Sequence, residues 1–231
     1  MKNNQMDSQN LDSRYRGQSG SKYQTSKHKI SRKAFDYVAK MRAQKFARWI
    51  DRHDSILEFG VGNGWNLEHL DCRVKSGYDV CPKPEKFIPS IHFFNNLGQL
   101  YEKYDKIICH HVLEHTENPV MMLNDMKNAV KDDGVIILFV PLEEDRRYKK
   151  FSASDSDHHL FSWNAQSLGN LLDSQGLTVL EYGFYYTGFD RFVAELAIKL
   201  KFNFLMYFFF LKIIRSLFRK KEIYFIVKKS R

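Results

Sequence analysis

Residues Ile56–Gly64 read ILEFGVGNG: a short apolar run closed by glycines at three alternate positions, with Glu58 two residues before the first. Glycine at such steps permits positive φ and lets a ligand approach the backbone closely. A Walker phosphate loop would need GK[ST], which is absent, and the pyrophosphate fingerprint GxGxxG fails because the third glycine comes one residue early. By itself the turn suits a structural role as well as a binding one, so its surroundings decide the reading.

Those surroundings alternate. SILEFG is the first of five short apolar runs, followed by VKSGYDV, IHFFN, YDKIICH and GVIILFVP, and each reads as a strand. Helix-compatible segments separate them, clearest in NPVMMLNDMKNAVKDDG, where Pro119 suits a first turn and Gly134 a stop. A helical pattern from about Arg32 to Ile50 precedes the set, with Phe35, Val38, Ala39, Phe46 and Trp49 at three- and four-residue steps. After it come a further helix, NAQSLGNLLDSQG, and two more strands, LTVLEYGFYY and EIYFIVKK. The pattern predicts an α/β, Rossmann-like fold, with a mostly parallel sheet covered by helices on both faces. Ligands in such sheets bind at the carboxyl ends of the strands, where the strand order reverses.

Composition sets the outer limits. A chain of 231 residues, 43% hydrophobic and 27% charged, can bury one substantial core. Cys72, Cys81 and Cys109 form neither a disulfide framework nor a CxxC zinc pattern, which suits a reducing, cytoplasmic setting. Residues 1–31 lack the apolar core of a signal peptide and read as a polar, mobile segment, leaving 32–231 as the folded domain. The net charge of +9 is unevenly spread: +6 over residues 1–33, +9 over 191–231 and −6 between them. An acidic middle is not what a polynucleotide-binding catalytic groove should look like, so nucleic acid is not the expected partner. The basic ends fit an anionic surface.

Further motifs surround the glycine turn. The second strand ends in YDV, placing Asp79 where a carboxylate can accept both hydroxyls of a ribose. The third ends at Asn95 and Asn96, amides able to pair with an adenine edge, and the fourth leads into CHHVLEHTENP. Together these motifs resemble the class I S-adenosylmethionine-dependent methyltransferases, in particular the small-molecule branch that shares VLEH…NP and a later HLFSW…SL…LL…G. The resemblance covers roughly residues 32–186 and the last strand, and it is specific for fold and cofactor, not for substrate. It implies S-adenosyl-L-methionine as cofactor, with Gly60 and Gly62 against its methionine part, Glu58 near the ammonium, Asp79 at the ribose and His110 near the sulfonium. Asn96 stands where the family usually has Asp; its amide can still bridge to an amino group.

For the acceptor, HHVLEH offers His111, Glu114 and His115 at i, i+3 and i+4, one face of a helical turn. Ubiquinone O-methyltransferases and small-RNA 2′-O-methyltransferases carry Glu-x-x-Glu-His there, and the RNA enzymes add a distant His, a place His158 or His159 could fill. A metal is not the expected outcome, because many relatives keep the Glu-His pair for packing alone. His111 and His159 are instead read as acceptor-side bases or hydrogen-bond partners, with residues 142–159 as a loop covering the acceptor. The leading function is O-methylation of a hydroxyl on a glycan, a lipid-linked intermediate or another small molecule. An RNA methyltransferase using the basic ends, and a non-catalytic module that keeps the fold for partner binding, are the alternatives.

One stretch falls outside this scheme: FNFLMYFFFLKIIRSLFRKK, Phe202–Lys221. In the resembled fold the last two strands form a hairpin, which makes residues 187–221 an insertion. Its longest uninterrupted apolar run is too short for a membrane span, which needs about 20 residues. Wound as one helix it would set Lys201, Lys212, Arg215 and Arg219 opposite Phe210, Ile213, Ile214 and Leu217, the pattern of an interfacial helix. The expectation is peripheral attachment of residues 192–221 to the inner, cytoplasmic membrane face; burial against the sheet or in a homodimer is the alternative.

Overall fold

The computed structural model describes residues 15–27, 30–85, 87–142, 151–152 and 158–230. Seven strands form one sheet: β1 (Ser55–Phe59), β2 (Val74–Tyr78), β3 (His92–Phe94), β4 (Tyr104–His110), β5 (Val130–Pro141), β6 (Leu177–Tyr186) and β7 (Lys221–Lys229). Their order is β3-β2-β1-β4-β5-β7-β6. The first five run parallel, and β7 is antiparallel to both β5 and β6. The strand order reverses between β1 and β4, so the crevice for a ligand opens beyond Phe59 and His110.

Alternation along the central strands supplies two cores, as expected for a sheet covered on both faces. Leu57, Ile107, Leu138 and Phe225 face one way, against α3 (Pro119–Ala129) and α4 (Ala165–Ser174). Ile56, Ile108, Ile137 and Ile226 face the other way, against Phe46 at the end of α2 (Arg32–Phe46). The helix starts are written locally: Ser31 accepts from the Ala34 N–H at 3.3 Å, and Asn118 accepts from the Met121 N–H at 3.0 Å with Pro119 behind it.

Three local expectations change. The helix expected to run on to Gly134 ends at Ala129, because Val130 is fully buried and pairs with Tyr104 as the first residue of β5. Gly134 lies in the strand, where a Cβ would come within 2.8 Å of the Asp105 carbonyl oxygen. Within residues 1–31, read as mobile, Gly17–Lys27 forms a helix, α1. Eleven polar residues would not hold a helix alone. Contacts hold it: the Cys81 thiol donates to the Tyr15 carbonyl at 2.7 Å, and Gly20 is buried beside the Cys81 sulfur.

The stretch between β6 and β7 is two helices rather than one, α5 (Asp190–Lys199) and α6 (Phe204–Phe218). Lys201 takes left-handed φ of 57°, the Phe202 N–H closes back on the Ala197 carbonyl at 2.8 Å, and Asn203 caps α6. That is a Schellman stop with lysine where glycine is usual, so the sequence carries no obvious break there. Lys201 therefore leaves the helix, and Arg215 turns inward to Asp190 at 2.6 Å, which dissolves the single basic stripe. Val193, Ala194, Tyr207 and Leu211 pack the pair onto Ala34 and Val38 of α2. No helix among the described residues is long and apolar enough to cross a membrane.

Candidate active site

The glycine turn lies at the carboxyl end of β1, pinned by N–H bonds from Gly60 (2.8 Å) and Val61 (3.1 Å) to the Tyr78 carbonyl. Gly60, Gly62 and Gly64 all have positive φ. At Gly60 the need for glycine is steric as well, since a Cβ would come within 2.2 Å of a Val112 methyl. Asp79 braces the turn from β2: its Oδ2 accepts the Gly62 N–H at 2.8 Å and its Oδ1 the Cys81 N–H at 2.9 Å. Those two bonds fix the orientation of the Asp79 carboxylate at the carboxyl end of β2.

Glu58 is almost fully buried on the α2 face of β1. Asn66 donates to one oxygen, while the other has no partner among the described residues. Burial pushes the carboxyl up to about 8 against the opposing Asn66 bond. An orphaned, desolvated carboxyl at the mouth of a glycine cradle fits the ammonium of an amino-acid moiety, which would restore its charge. Glu58, Gly60, Gly62 and Asp79 thus fit S-adenosylmethionine. Asn96 sits exposed just beyond β3 with its oxygen accepting from the Gly98 N–H at 2.8 Å, which leaves that oxygen's second lone pair and the amide nitrogen to offer an adenine.

On the other side of the crevice, His110 and His111 stack with rings 4.3 Å apart and 5° from parallel. Adjacent residues of a strand point to opposite faces, so stacking requires a break in the alternation. His111 provides it with φ of 55°, its N–H held by the Phe139 carbonyl at 2.9 Å. Both imidazoles meet Glu222, the second residue of β7: His111 Nε2 at 2.8 Å and His110 Nε2 at 3.5 Å. Lys45 of α2 reaches the same carboxylate, and His110 Nε2 at 2.8 Å.

The charges in this cluster follow from its burial. Burial would raise the Glu222 carboxyl, but Lys45 and the two imidazoles outweigh it and hold it well below the ordinary range. Burial draws the Lys45 ammonium down to about 8 against the pull of Glu222, so the pair is ionic at neutral pH. His110 is held neutral by burial and by the Lys45 ammonium beside it. Lys45 has only protons to give, so His110 Nε2 accepts; Glu222 has only lone pairs, so His111 Nε2 donates. In its neutral form His111 then presents Nδ1 as a proton acceptor, and it is the most exposed of the cluster.

The sequence-derived residues regroup accordingly. His110 joins Lys45 and Glu222 in a buried cluster. The row His111, Glu114, His115 is not formed: Leu113–His115 is a single tight turn, and the left-handed His111 turns away to Glu222. Glu114 and His115 cluster instead with His159, whose ring lies 4.7 Å from that of His115, and the Tyr15 hydroxyl bonds His115 Nδ1 at 3.0 Å. His111 and His159 thus belong to different clusters. Most of the loop at 142–159 lies outside the described residues. Sequence reasoning missed Lys45 and Glu222. Two traces existed: Glu222 is the only acid from Leu196 to Arg231, and Lys45 sits four residues after buried Met41 on α2.

A mostly parallel sheet whose last strand is reversed, with a glycine turn after β1 and a carboxylate after β2, defines the class I methyltransferase architecture. The chain belongs to the methyltransferase domain family, whose model matches residues 27–182. Among solved structures it is similar to coclaurine N-methyltransferase bound to N-methylheliamine and SAH, at 14% identity and a TM-score of 0.57, covering 82% of this chain and 72% of that one. It is also similar to magnesium protoporphyrin IX methyltransferase from Synechocystis PCC 6803 with bound SAH, at 15% identity and a TM-score of 0.56, covering 93% and 96%. A third is the plantazolicin methyltransferase BpumL in complex with a desmethylPZN analog and SAH, at 13% identity and a TM-score of 0.55, covering 92% and 90%. No curated protein sequence matches the chain. The family match stops before α5, α6 and β7, so Glu222 lies beyond it.

Proposed function

We propose that the protein transfers the methyl group of S-adenosylmethionine to a hydroxyl of a glycan, a lipid-linked intermediate or another small molecule, at the cytoplasmic face of a membrane. When bound, the cofactor supplies an electrophilic methyl on sulfonium and departs as a neutral thioether. Glu58 takes its ammonium, Asp79 its ribose hydroxyls, and the backbone of Gly60 and Gly62 lies along its methionine part. The SAH bound in the structural neighbours supports the same cofactor here.

The observation that carries O-methylation is the Glu222–His111 pair. Oxygen attack on the methyl carbon leaves a proton on the acceptor, and His111 Nδ1 is the group with a lone pair to take it. A base of this kind contributes about 10²- to 10⁴-fold, whereas holding nucleophile and electrophile in line is worth about 7–11 kcal/mol. Positioning is the larger effect, so loss of His111 slows the reaction without abolishing it. His159, from the neighbouring cluster, serves as a hydrogen-bond partner of the acceptor.

The test supplies methyl-deuterated S-adenosylmethionine and the purified protein to an envelope extract, followed by mass spectrometry of glycan, lipid and RNA fractions. The reading predicts the label as an ether on a glycan or lipid hydroxyl, reduced about 100-fold or more in His111→Ala with S-adenosylhomocysteine binding unchanged. Label in RNA alone would move the reading to an RNA methyltransferase, and unaltered turnover in His111→Ala would remove the base.

A further inference from the structure

The α5–α6 hairpin leaves much apolar surface uncovered. Tyr207 and Leu211 bury one side of α6 on the domain, while Leu205, Phe209, Ile213 and Leu217 lie exposed on the other, three of them by 60% or more. At about 100° per residue these four fall within roughly a third of the helix circumference. Phe218 of α6 and Phe192 of α5 add to the same hairpin, both more than 60% exposed. A patch of this kind on a folded domain marks an interaction site.

Its charge identifies what it meets. From Leu196 to Lys221 the chain has no acidic residue, and Lys199, Lys201, Lys212, Arg219, Lys220 and Lys221 are all exposed. The remaining cation, Arg215, is paired internally with Asp190. A second copy meeting this surface about a twofold axis would set lysine against lysine. A bilayer carrying anionic head groups complements both features, taking the apolar side chains at its interface and the lysines at its charged surface.

The surface also leads into the site. Phe218 is four residues from Glu222, and its ring packs on Phe189 at 4.6 Å. Lys220 lies over Phe189 at 5.1 Å, and Lys221 over Tyr186 at 5.9 Å. The next residue, Glu222, holds His111.

We infer that the α5–α6 hairpin docks on an anionic bilayer and that the methyl acceptor is an amphiphile of that bilayer, its hydroxyl-bearing head group reaching His111 past Phe218 and Lys220–Lys221. The docking surface stands on its own observations; the identity of the acceptor rests on the methyltransferase reading above.

The experiment floats the full chain with vesicles of mixed phosphatidylglycerol and phosphatidylcholine, and separately with phosphatidylcholine alone, at low and high salt. Wild type is expected to rise with the anionic vesicles at low salt and to be released by high salt. The triple variant Leu205→Ser, Phe209→Ser, Leu217→Ser, which alters only exposed positions, should lose at least about tenfold in bound fraction while its melting temperature and S-adenosylhomocysteine binding stay unchanged. Wild type remaining in the soluble fraction with both vesicle types, or a dimer in light scattering that the triple variant dissociates, overturns the inference. Equal flotation with phosphatidylcholine alone overturns the role of charge. Flotation without any S-adenosylhomocysteine binding by wild type would keep the docking surface and sink the methyltransferase reading instead.

Discussion

The two sides of the crevice are built differently. On the cofactor side, Glu58, the glycine turn and Asp79 lie within 22 consecutive residues and are joined by backbone bonds across one parallel strand pair. On the other side, Lys45, His110, His111 and Glu222 come from α2, the end of β4 and the last strand, with Lys45 and Glu222 177 positions apart. The first leaves one carboxyl oxygen unpaired, and the second satisfies its carboxylate from both Lys45 and His111. A buried group without a partner is shaped for a ligand; a fully partnered one sets the orientation and protonation of its neighbours.

The largest expected effect lies on the acceptor side. Glu222→Gln leaves the Lys45 ammonium buried beside two imidazoles without its counter-charge, at a cost of about 3–5 kcal/mol in stability. Glu222 has a depressed folded-state pKa, so its stabilisation is complete above the unfolded value of 4.5 and is lost as pH falls through the folded value. Denaturant melts of wild type and variant should therefore be farthest apart at neutral pH and converge in acid. A gap that does not change with pH would mean that Glu222 acts through packing.

On the cofactor side the effect is smaller and more local. Gly60→Ala must move Val112 and place a side chain at φ of 74°, a strain of about 1–3 kcal/mol. The variant should still fold, and it should lose S-adenosylhomocysteine affinity by about tenfold or more because the turn is displaced. Affinity equal to wild type would mean that the turn is only structural. Smaller again is Asn96→Ala, expected to weaken binding a few-fold, since Asn96 is solvent-exposed and its oxygen shares its lone pairs with the Gly98 N–H. A loss as large as that of Gly60→Ala would mean that Asn96 reads the adenine directly.

The same contrast explains what was legible in the sequence. The succession of strands and helices and the turn from Glu58 to Asp79 could be read because each is encoded in a short stretch with its own period or glycine spacing, whereas the pairing of the last two strands came from the family resemblance alone. The acceptor cluster could not. Its histidines lie in a motif whose helical spacing suggested one face of a turn, but a left-handed His111 rotates the first of them away. Their carboxylate comes from the far end of the chain, at the start of a strand that is otherwise apolar and basic. The hairpin was legible as an apolar and basic element, but not as two helices, because a lysine occupies the left-handed position where glycine would have marked the break.

The central claim is that the unpaired Glu58 carboxyl and the Asp79-braced turn hold S-adenosylmethionine, and titration calorimetry of the full chain tests it most directly. Free Glu58 is protonated below about 8. A bound ammonium favours its carboxylate, so binding must release a proton, and affinity must rise as pH climbs toward that value. Titrations in buffers of different ionisation enthalpy should therefore report one cofactor per chain and protons released at neutral pH, with the release lost in Glu58→Gln. A folded protein that gives no heat with either S-adenosylmethionine or S-adenosylhomocysteine, or one that binds without proton release, would contradict the account.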